Sequence, residues 1–226
     1  MIKILCVSDE VDPLVYSRNL KKRYGDVSFV IGAGDLRLPY YGFIVSIINK
    51  PLYFVFGNHH LKFLKDFSEK SNIYNVNREC PTFTKNYFGS TCIGEKIIRD
   101  KKSGLILMGF GGSYRYNTGE HQFTDAQMYI KMLARIPKMS YYRLRYGKWV
   151  DIIVTHASPF GIHDKEDLCH RGFKSFLWFM RVFKPKYLIH GHIHLLDANE
   201  PRETIYYNTH VINVFKSYIL EIDDIK

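Results

Sequence analysis

Three histidines occupy alternating positions at His190, His192 and His194, closing the run Tyr187-Leu-Ile-His-Gly-His-Ile-His. Imidazole is the commonest side-chain ligand for a metal ion, and a cluster this dense is unusual in ordinary surface sequence. Upstream stand Ser8-Asp9, Gly34-Asp35, Gly57-Asn58-His59 and Thr155-His156-Ala157. Together these offer carboxylate, amide and imidazole donors without a thiolate. Such a mixed oxygen and nitrogen set suits manganese, iron or zinc better than calcium. Metal-assisted hydrolysis at phosphorus needs a carboxylate that can bridge two ions about 3.5–4 Å apart so that both polarise one water. Asp35 follows a glycine, whose missing Cβ lets the chain turn the next carboxylate inward. Asn58 adds a neutral oxygen, and His156, His192 and His194 add nitrogens. His59, beside Asn58, lies where a general acid could reach a leaving-group oxygen.

Each of these groups follows its own apolar, β-branched or aromatic run, at residues 2–7, 27–31, 52–56, 150–154 and 187–189. Short runs of that composition read as buried strands. Between them, residues 13–24 (closed by Gly25) and 40–48 read as helices, so the chain opens βαβαβ. That order implies a parallel sheet with functional residues at the carboxyl ends of its strands. Residues 80–88 look loop-like, and residues 91–98 and 105–111 look like strands joined by a turn. Residues 124–135 read as a helix with Thr124 as its N-cap. A strand at 150–154 and a helix at 173–183 then lead to the strand before His190. Residues 204–207, 210–215 and 218–222 read as short antiparallel strands.

At 226 residues, with 46% hydrophobic and 24% charged residues, the chain can bury one substantial core, and two full domains would be cramped. No apolar segment is long enough to span a bilayer, so no membrane role is expected. Residues 1–7 are too short for a signal-peptide core and run into Asp9, Glu10 and Asp12, which points to a cytoplasmic protein. Cys6, Cys80, Cys92 and Cys169 lie far apart and read as unpaired thiols of a reducing compartment. The formal charge of +10 favours anionic partners without choosing among them. The basic and aromatic residues 141–149 could touch nucleic acid, but they read better as a solvated helix end.

In order and spacing these motifs resemble the calcineurin-like metallophosphoesterases, whose pattern is Asp-x-His, Gly-Asp, Gly-Asn-His-(Asp/Glu), His and Gly-His-x-His. The resemblance implies a four-layer α/β/β/α sandwich of two mixed sheets, with residues 1–226 forming one domain and a dinuclear metal site at one edge. It implies that Asp9 and His194 hold a first divalent ion, that Asp35 bridges, and that Asn58, His156 and His192 hold a second. The ions would be manganese, with iron or zinc as alternatives, and His59 would assist catalysis. Two positions depart from the pattern. Val11 stands where the family has a ligand histidine, leaving waters, Asp12 or Glu10 to fill the first site. His60 stands where the family has an acidic residue. Arg115, in a glycine-rich stretch, and His170 with Arg171, at the start of a helix, are candidates for contacting the substrate's phosphate. The implied activity is hydrolysis of a small phosphate monoester or diester. A nuclease of the same superfamily and a degenerate metal-binding protein are the alternatives.

Overall fold

The computed structural model describes residues 1–59, 86–87, 89–195, 197 and 199–223. The expectations for His60, Cys80 and most of the loop at 80–88 therefore fall outside the described residues. The elements run β1 (Ile2–Ser8), α1 (Leu20–Tyr24), β2 (Phe29–Gly32), α2 (Leu38–Ile48), β3 (Leu52–Phe54), β4 (Asn86–Tyr87), β5 (Ser90–Cys92), β6 (Ile97–Arg99) and β7 (Ile106–Phe110). They continue β8 (Ser113–Tyr114), β9 (Gln122–Phe123), α3 (Asp125–Leu133), α4 (Ile136–Tyr146), β10 (Ile152–Thr155), α5 (Lys174–Phe183), β11 (Tyr187–His190), β12 (Glu203–Tyr206), β13 (Thr209–Asn213) and β14 (Lys216–Ile222).

Two mixed sheets carry the molecule, ordered β14-β1-β2-β3-β5-β4 and β12-β13-β11-β10-β7-β6. In each the four central strands run parallel and the edge strands antiparallel. The side-chain period of two then sorts each strand onto two buried faces. Ile4 and Cys6 of β1 meet Ile152 and Val154 of β10 and Ile189 of β11 in a layer between the sheets. Leu5 and Val7 turn the other way, onto Leu20 of α1 and Tyr41 and Ile44 of α2. Ile153 and Leu188 pack outward against Met128 of α3, Met139 of α4 and Phe176 of α5. This is the α/β/β/α stacking expected, and it explains why the strands read as continuous apolar runs rather than alternating ones. No helix among the described residues is long and apolar enough to cross a membrane.

Three expectations needed correction. Residues 13–19 are turns, and α1 begins only at Leu20. Asp12 Oδ1 accepts from the Leu14 amide at 2.8 Å and the Ser17 hydroxyl donates to the Leu14 carbonyl at 3.1 Å. Such local bonds compete with the helix ladder. The run 91–98 is not one strand either. It breaks at residues 93–96, where Gly94 and the left-handed Glu95 (φ 55°) carry the chain from β5 in one sheet to β6 in the other. The last strands are only partly antiparallel: β12 pairs so with β13, but β13 lies parallel to β11, and β14 crosses to the first sheet beside β1.

Candidate metal centre

The carboxyl ends of β1, β2, β3, β10 and β11 open onto one edge of the sandwich. Each is followed within a few residues by one of the singled-out groups. Asp9, Asp35 and His192 all adopt left-handed backbone, at φ 65°, 54° and 67°. Aspartate and histidine tolerate that region better than most residues, and backbone held there costs on the order of 1–3 kcal/mol each. The turn aims their side chains back over the sheet ends. Two glycines make room for them. A Cβ at Gly34 would lie 2.3 Å from His156 Nδ1, and one at Gly57 would lie 2.0 Å from Asp35 Oδ1.

At the centre, lone pairs face one another. His156 is fully buried, and its Nδ1–H donates to the Ala33 carbonyl at 2.9 Å. A carbonyl can only accept, so Nδ1 holds the proton of the neutral ring and Nε2 keeps its lone pair. That Nε2 sits 3.1 Å from Asn58 Oδ1 and 3.2 Å from Asp35 Oδ2. The Asn58 amide is oriented by its Nδ2, which donates to the Tyr116 hydroxyl at 3.2 Å, so Oδ1 points inward as an acceptor. Two acceptor oxygens and a ring nitrogen at hydrogen-bond separation call for a proton or a metal ion among them. A proton answers in part. Burial alone would push the His156 pKa down, but the Asp35 and Asp9 carboxylates outweigh it and raise it to about 9. A divalent ion meets the same demand with full coordination, and the donor chemistry fits one.

His192 completes this group. One donor atom each from Asp35, His156 and His192 lies within 4.8 Å of the others. Its Nε2–H donates to the Cys169 carbonyl at 2.9 Å, which leaves the Nδ1 lone pair free. Burial, with the neighbouring His156, pushes its pKa down to about 3, so the ring stays neutral and able to ligate.

The other half is more open. Asp9 accepts twice from the His192 amide, at 3.1 and 2.9 Å, and burial raises its carboxyl pKa. His194 Nε2 stands 3.9 Å from Asp9 Oδ1 with its ring stacked on Phe215, half exposed. Val11 points to solvent at 45% exposure. Neither proposed substitute reaches in. Glu10 pairs with Lys216 at 3.0 Å, and Asp12 is taken by the Leu14 amide and the Ser217 hydroxyl.

His59 lies on the rim. Its amide donates to Asp35 Oδ1 at 3.0 Å, and its exposed ring approaches Asp35 Oδ2 at 4.0 Å. His170 comes within 5.2 Å of the His192 ring, and Arg171 lies over the rings of Tyr114 and Phe160. Arg115 Nη2 donates to the Gln122 carbonyl at 3.3 Å and to Gln127 Oε1 of α3 at 3.1 Å, which fixes one corner of its guanidinium to the scaffold. Sequence reasoning missed Tyr116, Cys169 and Phe215. The only signal for them is an aromatic or a cysteine without motif context. It also missed a chain running inward from the half-buried Thr204 and His163 to the buried His190, in which the Thr204 hydroxyl meets His163 Nε2 and His163 Nδ1 meets His190 Nε2, each at 2.9 Å.

Among solved structures, TT1561 of Thermus thermophilus is similar at 12% identity and TM-score 0.59, over 95% of this chain and 89% of that one. A second crystal structure is similar at 12% identity and TM-score 0.65, over 96% and 94%. At that identity the likeness speaks for the fold alone. A search of curated proteins found no match. The calcineurin-like phosphoesterase profile matches residues 2–196, the span that carries every candidate donor at this edge, and the chain belongs to that family.

Proposed function

We propose that this protein is a metal-dependent phosphoesterase that hydrolyses a small phosphate monoester or diester at a site for two divalent ions. One observation carries the reading: Asp35 Oδ2 and Asn58 Oδ1 converge on His156 Nε2 at 3.2 and 3.1 Å, an oxygen and nitrogen donor set that fits a divalent ion. Asp35, Asn58, His156 and His192 would hold one ion; Asp9, Asp35 and His194 would hold the other. Such ions polarise a phosphoryl oxygen and lower the pKa of bound water towards neutrality. The chain's own residues do the rest. Asp35 spans both positions, and His59 delivers a proton to the departing oxygen from the solvent side. The left-handed turns hold the ligands preorganised, so little rearrangement is needed on binding.

The two positions are unequal, because Val11 gives the first no imidazole and Glu10 and Asp12 are engaged elsewhere. The Asn58–His156–His192 position fills first, and the Asp9–His194 position fills only with excess metal. Turnover of p-nitrophenyl phosphate and its bis-ester, with Mn²⁺, Fe²⁺ or Zn²⁺ against a chelated control, tests the reading. Activity should appear with metal, rise beyond one equivalent, and vanish in Asp35→Asn together with bound Mn²⁺. Full metal loading and turnover in that variant would remove the shared-carboxylate site. A steep loss of substrate binding with salt would favour the nuclease reading, since extended phosphate contacts release counterions.

A further inference from the structure

We propose that Cys169 and His170, with His192, form a further cation position on the loop facing the centre, one that selects zinc through a thiolate. The phosphoesterase pattern uses neither Cys169 nor His170, and this inference does not rest on the activity proposed above.

One potential donor atom from each of the three residues lies within 4.8 Å of the other two. Tetrahedral zinc, with bonds of about 2.3 Å to sulfur and 2.0–2.1 Å to nitrogen, sets its donors about 3.3–3.8 Å apart. A closure of roughly 1 Å therefore completes the geometry. The loop is already braced for it. Asp164 accepts from the Gly161 amide through Oδ1 and from the Gly172 amide through Oδ2, at 2.9 and 3.1 Å. Asp167 accepts from the His170 amide at 3.1 Å and from His170 Nδ1 at 2.9 Å. That last contact places the ring proton on Nδ1 and turns the Nε2 lone pair outward, the carboxylate–histidine arrangement that orients metal ligands.

Cys169 is suitably placed too. Cys6 and Cys92 are buried in the sandwich, whereas Cys169 is only partly covered. Burial raises its thiol pKa, which the neighbouring Tyr116 hydroxyl, also the acceptor of the Asn58 amide, partly offsets. One sulfur and two imidazoles make a softer set than the Asp35 group, and soft donors favour zinc over manganese or magnesium. Binding replaces the thiol proton, which leaves to solvent. His192 belongs to both groups, and a neutral imidazole offers one lone pair, so the two positions draw on the same donor.

Cobalt substitution reads the thiolate directly. Protein loaded with Co²⁺ should show a near-ultraviolet thiolate-to-cobalt charge-transfer band, absent in Cys169→Ser and weakened in His170→Ala. Zinc should slow alkylation of Cys169 by iodoacetamide at least tenfold, as mapped by peptide mass. Asp35→Asn, which dismantles the phosphoesterase centre, should keep the band, so failure of that reading and of this one are told apart. No band in the parent protein, a band undiminished in Cys169→Ser, or Cys169 alkylated equally fast with zinc would overturn the proposal.

Discussion

A methyl group added at Gly57 would sit 2.0 Å from Asp35 Oδ1 and 2.7 Å from His156 Cε1. Neither neighbour can retreat, since Asp35 Oδ1 also accepts from the His59 amide and His156 is held by the Ala33 carbonyl. Gly57→Ala should therefore abolish manganese binding by atomic-absorption analysis while secondary structure persists. Gly94→Ala, whose methyl meets nothing nearer than the Cys92 sulfur at 3.7 Å, should bind metal normally. A different residue sets a pH effect. Burial, aided by the charge of His156, pushes the pKa of His121 down to about 4, and its Nε2 has no hydrogen-bond partner. The unfolded chain has the ordinary value near 6.5. Between those values only the unfolded state takes the proton, so stability is full above about pH 6.5 and falls as pH drops toward 4. His121→Phe should flatten the slope of unfolding free energy there by at most about 1.4 kcal/mol per pH unit, measured by urea titration in chelator. An unchanged slope would mean that His121 titrates alike in both states.

Elements decide how far such residues can be read in advance. The donors were legible because each ends a strand buried on both faces, and a continuous apolar run followed by Asp, Asn or His is visible in one dimension. Thr124 was legible as a cap for a similar reason: its hydroxyl and the Gln127 side chain close a reciprocal pair within four residues. The break between β5 and β6 was marked only by Gly94, Glu95 and Lys96, weak strand formers that an isolated strand tolerates, and the handover between sheets is a tertiary event. Tyr116, Cys169 and Phe215 were not legible, because each reaches the edge through tertiary contact. Asn213 at the end of β13 shows what such contact does. Its Nδ2 donates to the Ile193 carbonyl at 2.8 Å and its Oδ1 accepts from the Phe215 amide at 2.9 Å, both in buried surroundings. Asn213→Ala leaves two backbone groups without partners, at about 1–3 kcal/mol each. It should lower stability in urea by about 2 kcal/mol or more and reduce metal content, because Ile193 lies between His192 and His194. Thr124→Ala should cost about 1 kcal/mol and leave metal content untouched. Equal effects on metal content would sink the positional role of Asn213.

At the scale of the whole molecule the donors divide between the two sheets. Asp9, Asp35 and Asn58 follow strands of the first, and His156, His192 and His194 follow strands of the second. The apolar layer of Ile4, Cys6, Ile31, Ile152, Val154 and Ile189 therefore sets how far apart the two half-sets stand. Neither sheet holds the Asp35–His156–His192 group by itself. Activity should consequently respond to volume changes deep in this layer, far from any ligand.

The pairing of Ile2 with Ile222 has a further consequence, and it concerns time. The first sheet closes only when β14 crosses over from the second, with Phe215 on that crossover lying against His194. Pairings between such distant stretches form slowly, because loop closure must precede the contacts that reward it. The candidate metal ligands then meet after the rate-limiting search, as the sheets dock. Interactions absent from the transition state slow unfolding and leave folding alone. Stopped-flow refolding should show the same folding rate with Mn²⁺ or with chelator, while unfolding slows several-fold with metal. Metal that accelerated folding instead would mean that the ligands gather first and organise the sandwich around themselves.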